Sequence, residues 1–166
     1  MSATNFIESH ELRDAFVGKL LDGLVNRIVE QGDDLLSRAG VVFPSRSAST
    51  VLLLGNGKNL SAADIAKILG EPHQLATQRV DLLITLGIAS RVDDPRDARR
   101  KVVRLTPKGR RQLQKLEASL VLARAAMAAL FDEIGCDLSA AALRAMRALD
   151  HKSLAERTRA IAAAAA

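Results

Sequence analysis

One residue, Glu71, separates two helical patterns, and that spacing constrains the fold more than any other feature of the chain. Ser61 is a good N-cap, with Asp64 three residues on, and Leu60 and Ile65 stand at the two ends of a hydrophobic staple. The pattern predicts a helix over 61–69 (SAADIAKIL) that Gly70 closes. Pro72 suits the first turn of a following helix, which runs to Leu86 and is capped by Gly87. Two helices of about nine and fourteen residues, joined by a turn containing Gly, have helix-turn-helix spacing.

The segment that follows carries the charge. Residues 91–111 (RVDDPRDARRKVVRLTPKGRR) hold nine basic and three acidic side chains, a net +6 where the whole chain is +5, so the remainder is −1. Charge focused this way is an electrostatic footprint for an anionic partner. A short apolar-rich run, 88–92, precedes an Asp-Pro turn, and a second, 101–105, follows the arginines. These runs predict a two-stranded hairpin with basic residues at its tip.

Around this centre lie longer helical patterns. Leu12, Phe16, Leu20, Leu24 and Ile28 recur at i+4, flanked by Val17, Leu21, Val25 and Val29, which predicts a long amphipathic helix over 11–39. A second helix is expected over 45–54, ending at Gly55-Asn56-Gly57. Thr106-Pro107 starts another that reaches about Ile134, with Gly135 as its break. Ser139 is read as the cap of a last helix, with Leu138 and Leu143 as staple and Leu143, Met146, Leu149 and Leu154 on its apolar face. The alanine tail, 160–166, extends that helix or frays. The architecture expected is mainly α, with about six helices and a small hairpin. It divides into an N-terminal helix (1–44), a helix-turn-helix lobe with hairpin (45–106) and C-terminal helices (107–166).

Composition excludes several classes of function. Aromatic residues make up 2% of the chain, with no Trp or Tyr, so binding by stacking on single strands or RNA lacks its platforms. No stretch approaches the roughly 20 apolar residues of a membrane span, and the N-terminus has neither the basic start nor the apolar core of a signal peptide. A single cysteine, Cys136, leaves no internal disulfide and fits a reducing cytoplasm. The three histidines (His10, His73, His151) are scattered without metal-ligand spacing. Neither a catalytic constellation nor a cofactor motif stands out, so no enzyme is expected.

A helix-turn-helix, a basic hairpin and a long helix, in that order, make a winged helix with an arm, and the segment from Leu60 to Gly109 resembles the DNA-binding core of the MarR family of bacterial regulators. That family's wing carries D-x-R-D-x-R, an apolar strand, then L-T-x-x-G. Here these stand as Asp94-Pro95-Arg96-Asp97-Ala98-Arg99 and Leu105-Thr106-Pro107-Lys108-Gly109. The end of the family's recognition helix, V-D-x-L-x-x-x-G, is matched by Val80 to Gly87. There are departures. The recognition helix begins His73-Gln74, Gln78 stands where an arginine is common, and Arg79 where an apolar residue is usual. The first helix lacks the cysteine that peroxide-sensing members place there.

The resemblance implies a homodimer joined through its N- and C-terminal helices. It also implies a double-stranded operator and a small lipophilic or phenolic effector between the dimer helices and the DNA-binding lobe, with repression the expected sign. In the residues, Arg96 would enter a narrow minor groove, Asp94 and Asp97 would brace the arginines, and Arg99, Arg100 and Lys101 would meet phosphates. His73, Gln74, Thr77 and Gln78 on the first turns of the recognition helix would reach base edges. Arg79 is divided between a phosphate and an ion pair with a neighbour. Ser61 either donates to a phosphate or caps its helix alone. Two alternatives stay open at this point: a redox-gated regulator using Cys136, and a winged helix that contacts protein rather than DNA.

Overall fold

The computed structural model describes residues 6–94 and 97–165. The chain divides into two units, 1–120 and 121–166. The order of elements is α1 (Phe6–Ser9), a 3₁₀ turn (Arg13–Phe16), α2 (Val17–Arg38), a 3₁₀ turn (Ser45–Ser47), α3 (Ala48–Gly55), α4 (Ala62–Leu69), α5 (His73–Thr85), β1 (Ala89–Asp94), β2 (Asp97–Leu105), α6 (Pro107–Ile134), α7 (Leu138–His151) and α8 (Leu154–Ala164). This is the mainly helical winged helix expected from the sequence.

Four boundaries differ from expectation. The single helix expected over 11–39 is interrupted: the ring Nδ1 of His10 accepts the N–H of Leu12 at 3.0 Å, a 3₁₀ turn follows, and α2 starts only at Val17. The helix expected from Ser45 opens as a 3₁₀ turn and becomes α-helical at Ala48. Asp137, not Ser139, caps α7, accepting the N–H of Ala140 at 2.9 Å. The last pattern is two helices, because Ser153 and Glu156 form a capping box that starts α8 after Lys152 has left helical geometry. Leu154 therefore belongs to α8, and the alanines up to Ala164 extend it.

In the first unit the core lies where α3, α4, α5, the two strands and the start of α6 converge. Val51, Ile65, Ala76, Val80, Leu83, Ile88 and Leu116 are all fully buried there. With no Trp or Tyr available, aliphatic side chains fill it, and Phe43 is its one aromatic member. The strands pair antiparallel from Ala89 opposite Leu105 to Asp93 opposite Lys101, with an irregularity before Asp94. One isolated bridge adds to this ladder: the N–H of Val103 donates to the carbonyl of Leu60 at 2.8 Å.

Two features fix the foot of the hairpin. Thr106 caps α6: its Oγ1 accepts the N–H of Gly109 at 3.0 Å and donates to the Gly87 carbonyl at 2.7 Å. Gly109 lies so close to the strand that a Cβ there would sit 2.0 Å from the Ile88 carbonyl oxygen. Further along α6, the buried Gln112 donates to the carbonyl of Gly40 (3.1 Å) and accepts the N–H of Val42 (2.9 Å). It thereby ties down the chain between α2 and α3.

The apolar stripes of the longer helices are left uncovered. On α2, Val17, Leu21, Val25 and Ile28 are exposed. In the second unit no residue of α7 or α8 is buried, and Leu143, Met146, Leu149, Leu154 and Ile161 are exposed.

Candidate nucleic-acid interface

The helix-turn-helix is built by local hydrogen bonds that the sequence encodes. Ser61 Oγ accepts the N–H of Asp64 (3.2 Å) and donates to Asp64 Oδ2 (2.6 Å), while the N–H of Ser61 donates to that same oxygen (2.7 Å). The cap expected of Ser61 is present. At the other end of α4, Gly70 has φ of +64°, in the left-handed region. Its N–H donates to the Lys67 carbonyl and that of Glu71 to the Ala66 carbonyl (2.9 Å), a Schellman ending. The chain then enters α5 directly, with Pro72 at its N-cap.

One face of α5 is core (Ala76, Val80, Leu83). His73, Gln74 and Gln78 are exposed at its N-terminal end, and among the described residues their side chains have no hydrogen-bonding or ionic partner. Thr77 is half-buried and donates its hydroxyl to the His73 carbonyl at 2.9 Å, which leaves its oxygen able to accept. Arg79 has the neighbour that one of its two readings expected. It forms an ion pair with Glu71, and the two side chains are only 15% and 18% exposed.

The hairpin is tied to this helix pair by side chains. Arg100 reaches from β2 to the carboxylate of Asp64 on α4, and its other terminal nitrogen lies 3.4 Å from the buried Asp94. The expected brace at Asp94 is therefore seen, but Arg100, expected on a phosphate, is itself engaged. The carboxyl of Asp64 is held below the usual carboxylate range, first by its hydrogen bonds from Ser61; burial opposes this, and the Arg100 guanidinium adds a lesser lowering. Arg104 donates twice to Asn59 (3.1 and 2.6 Å), and Arg91 pairs with Asp81 at 2.5 Å.

Towards the tip, Lys101 forms a cross-strand ion pair with Asp93, both about 60% exposed, so the pair contributes little and the ammonium stays available to solvent. Asp97 Oδ1 accepts the N–H of Arg99 at 3.0 Å, which shapes the turn, while the Arg99 side chain is exposed. Arg96, expected at the very tip, and Pro95 lie outside the described residues.

The structure thus connects Ser61, Asp64, Arg100 and Asp94 through their side chains, and leaves His73, Gln74, Gln78 and Arg99 exposed. Sequence reasoning did not identify Asp64 as a receiver for the wing, nor Asn59 as a partner of Arg104. Asp64 had a signal, as a capping residue; Asn59 had none. A groove of about 620 Å3 lies at the foot of the wing, lined by Leu54, Leu105 and Leu113 and by the charged Lys58, Arg104, Arg110 and Glu117.

Among the described residues no group of His, Cys, Asp and Glu could hold a metal ion, and no helix is long and apolar enough to cross a membrane.

No curated protein matches the sequence. Several solved structures match the fold. The M. tuberculosis transcriptional regulator MOSR, in complex with DNA, is 20% identical over 82% of this chain and 97% of its own, with a TM-score of 0.62. CouR from Rhodococcus jostii RHA1, bound to p-coumaroyl-CoA, is 22% identical over 83% of this chain and 92% of its own, with a TM-score of 0.58. The transcriptional repressor CouR bound to a 23-mer DNA duplex is 23% identical over 71% and 89%, with a TM-score of 0.54. At such identities the likeness is one of fold. The sequence profile of the MarR family matches residues 43–100, which span α3, the helix-turn-helix and most of the wing. Residues 43–100 therefore match the MarR family, and the chain has the mainly helical winged-helix fold seen in a solved MarR-family transcriptional regulator from Rhodococcus sp. RHA1.

Proposed function

We propose that the protein is a sequence-specific, double-stranded-DNA-binding transcriptional regulator that acts as a homodimer. The observation that carries this reading is the first turns of α5: His73, Gln74 and Gln78 are exposed and unengaged among the described residues, beside a basic wing braced onto the same helix pair. N-terminal residues of a recognition helix are those that reach base edges in the major groove. Glutamine suits adenine, and the Thr77 hydroxyl can accept from a base or meet a thymine methyl. Arg99 and Lys101 supply phosphate contacts, and Arg96 is assigned to the minor groove. The MarR-family match over 43–100 supports the same reading.

Homodimerisation is supported by the uncovered stripes of α2, α7 and α8. Burying apolar area is worth about 25 cal/mol per Å2, so a second copy is a favourable cover. Two-fold symmetry then calls for a pseudo-palindromic operator with half-sites about 10 bp apart, one DNA turn. By resemblance, the regulator is a repressor released by a small lipophilic or phenolic anion. The groove at the foot of the wing, lined by three leucines and by three cations against one carboxylate, Glu117, supports a ligand of that kind.

The experiment is a selection on genomic upstream fragments at moderate salt, repeated with candidate phenolic acids. Retention of a small set of fragments sharing an inverted repeat is expected. No retained fragment would refute the DNA reading, and retention unaffected by any phenolic would remove the phenolic effector.

A further inference from the structure

We propose that the ion pair between Glu71 and Arg79 is a positioning device, which aims the base-reading turns of α5 and is not itself in contact with DNA. This rests on the DNA-binding reading above. Glu71 is the only residue between the Gly70 ending of α4 and the Pro72 cap of α5. Its backbone N–H is held by the Ala66 carbonyl at 2.9 Å, which belongs to α4. Its side chain is held by Arg79, two turns inside α5.

The residue thus has one attachment on each helix, at the point where the angle between them is set. Side chains on a helix lean towards its N-terminus, so Arg79 reaches back along α5 to meet Glu71. The pair is more than four-fifths buried on both sides, and Glu71 Oε2 is fully buried with no hydrogen-bond partner among the described residues. Half of that carboxylate therefore depends on one guanidinium. Arg79 cannot reach a phosphate without leaving the carboxylate wholly unpaired in the interior, which is strongly unfavourable.

The device aims His73, Gln74, Thr77 and Gln78 together, because all four lie on the turns between the two attachments. An apolar side chain in place of Arg79 could fill space there but could not orient a turn through a charge-assisted bond.

The test uses the full chain and two duplexes of one length: the one best retained in the genomic selection, and a scrambled control. Affinity for each is measured across a salt series for wild type, Glu71→Gln, Arg79→Gln and the double variant. The positioning role predicts that both single variants lower the ratio of selected to scrambled affinity by about fivefold or more, the scale of one misaligned base contact. The scrambled-duplex affinity and its salt slope stay unchanged, and the double variant loses no more than the worse single one.

A fall of about 0.9 in the salt slope for Arg79→Gln would mean a lost phosphate contact and would overturn the proposal. So would an unchanged affinity ratio in Glu71→Gln, a near-isosteric change that decides the matter if Arg79→Gln does not fold. If wild type does not discriminate the two duplexes at all, the DNA reading itself fails. If wild type discriminates and the variants match it, only the positioning role fails.

Discussion

Replacing Gly109 by alanine places a methyl carbon 2.0 Å from the carbonyl oxygen of Ile88 and 3.0 Å from its carbonyl carbon. The obstacle is backbone, with no flexible side chain to swing aside. Restoring even a tight 3.0 Å contact requires about 1 Å of separation between α6 and the wing, by the scale on which overpacking is felt. The Ile88 carbonyl also accepts the N–H of Thr106 at 3.0 Å, so the movement strains the bond that starts the helix. Overpacking of this kind costs about 1–3 kcal/mol, and a weakened hydrogen bond about 1 kcal/mol more. Against this, alanine gains at most about 1 kcal/mol over glycine in a helix. The net is a destabilisation of about 2 kcal/mol, or a Tm lower by about 4–8 °C for a chain of this length. Thermal unfolding followed by circular dichroism, at matched protein concentration because an oligomer's Tm depends on it, measures the shift. Gly18→Ala is the control, since a Cβ there meets nothing within 4 Å, and it should be neutral or slightly stabilising. A Gly109→Ala protein within about 0.5 kcal/mol of wild type, the range of ordinary surface substitutions, would refute the argument.

Arg99→Ala should lower the salt slope of DNA binding by about 0.9, as one lost phosphate contact does. Arg100→Ala should instead leave the slope nearly intact and loosen the wing, seen as faster amide exchange in β2; equal slope changes for the two would contradict the different surroundings described for them. Because the Asp64 carboxyl is lowered in the folded protein, its contribution to stability is present above the unfolded value, near pH 3.8, and is lost as pH falls through the lower folded value. Asp64→Asn should flatten that acid limb while leaving the pH 5–8 region unchanged, by an amount kept small by the 36% exposure of the side chain. A paired change on α2, Leu21→Glu with Val25→Glu, should convert the protein from dimer to monomer in sedimentation equilibrium; a wild-type chain that is already monomeric at micromolar concentration would dispose of the dimer. Cys136→Ser should respond to peroxide as wild type does. A loss of response confined to the variant would revive a redox gate.

The elements legible in the sequence were those with local punctuation. Ser61 with Asp64, Gly70, Gly87 and Thr106-Pro107 each bond within a few residues of their own position, so spacing alone locates them. The interruption at Arg13–Phe16 was not legible, because the apolar stripe continues through it while a single histidine ring takes the N–H of Leu12. The Ser153–Glu156 box was legible in principle, but Leu154 also fits the spacing of the preceding stripe, and periodicity competed with the cap. At the site, residue types and faces could be read, and partners could not. Arg100 finds Asp64 across 36 residues and Arg104 finds Asn59 across 45, separations over which only the fold decides who meets whom. The same holds for Gln112, whose amide serves the backbone at Gly40 and Val42.

The single bond from Val103 to the Leu60 carbonyl has a consequence for how such a protein can be tuned. A two-stranded hairpin by itself is only marginally stable in water, and its tip wanders. Here the hairpin takes its bearings from the residue just before α4, so the reach from wing to recognition helix behaves as a fixed gauge. In the proposed dimer, an effector then has little to adjust inside one copy. What remains adjustable is the distance between two such gauges, and a change of that pitch by a fraction of a DNA turn suffices to take both off their half-sites at once.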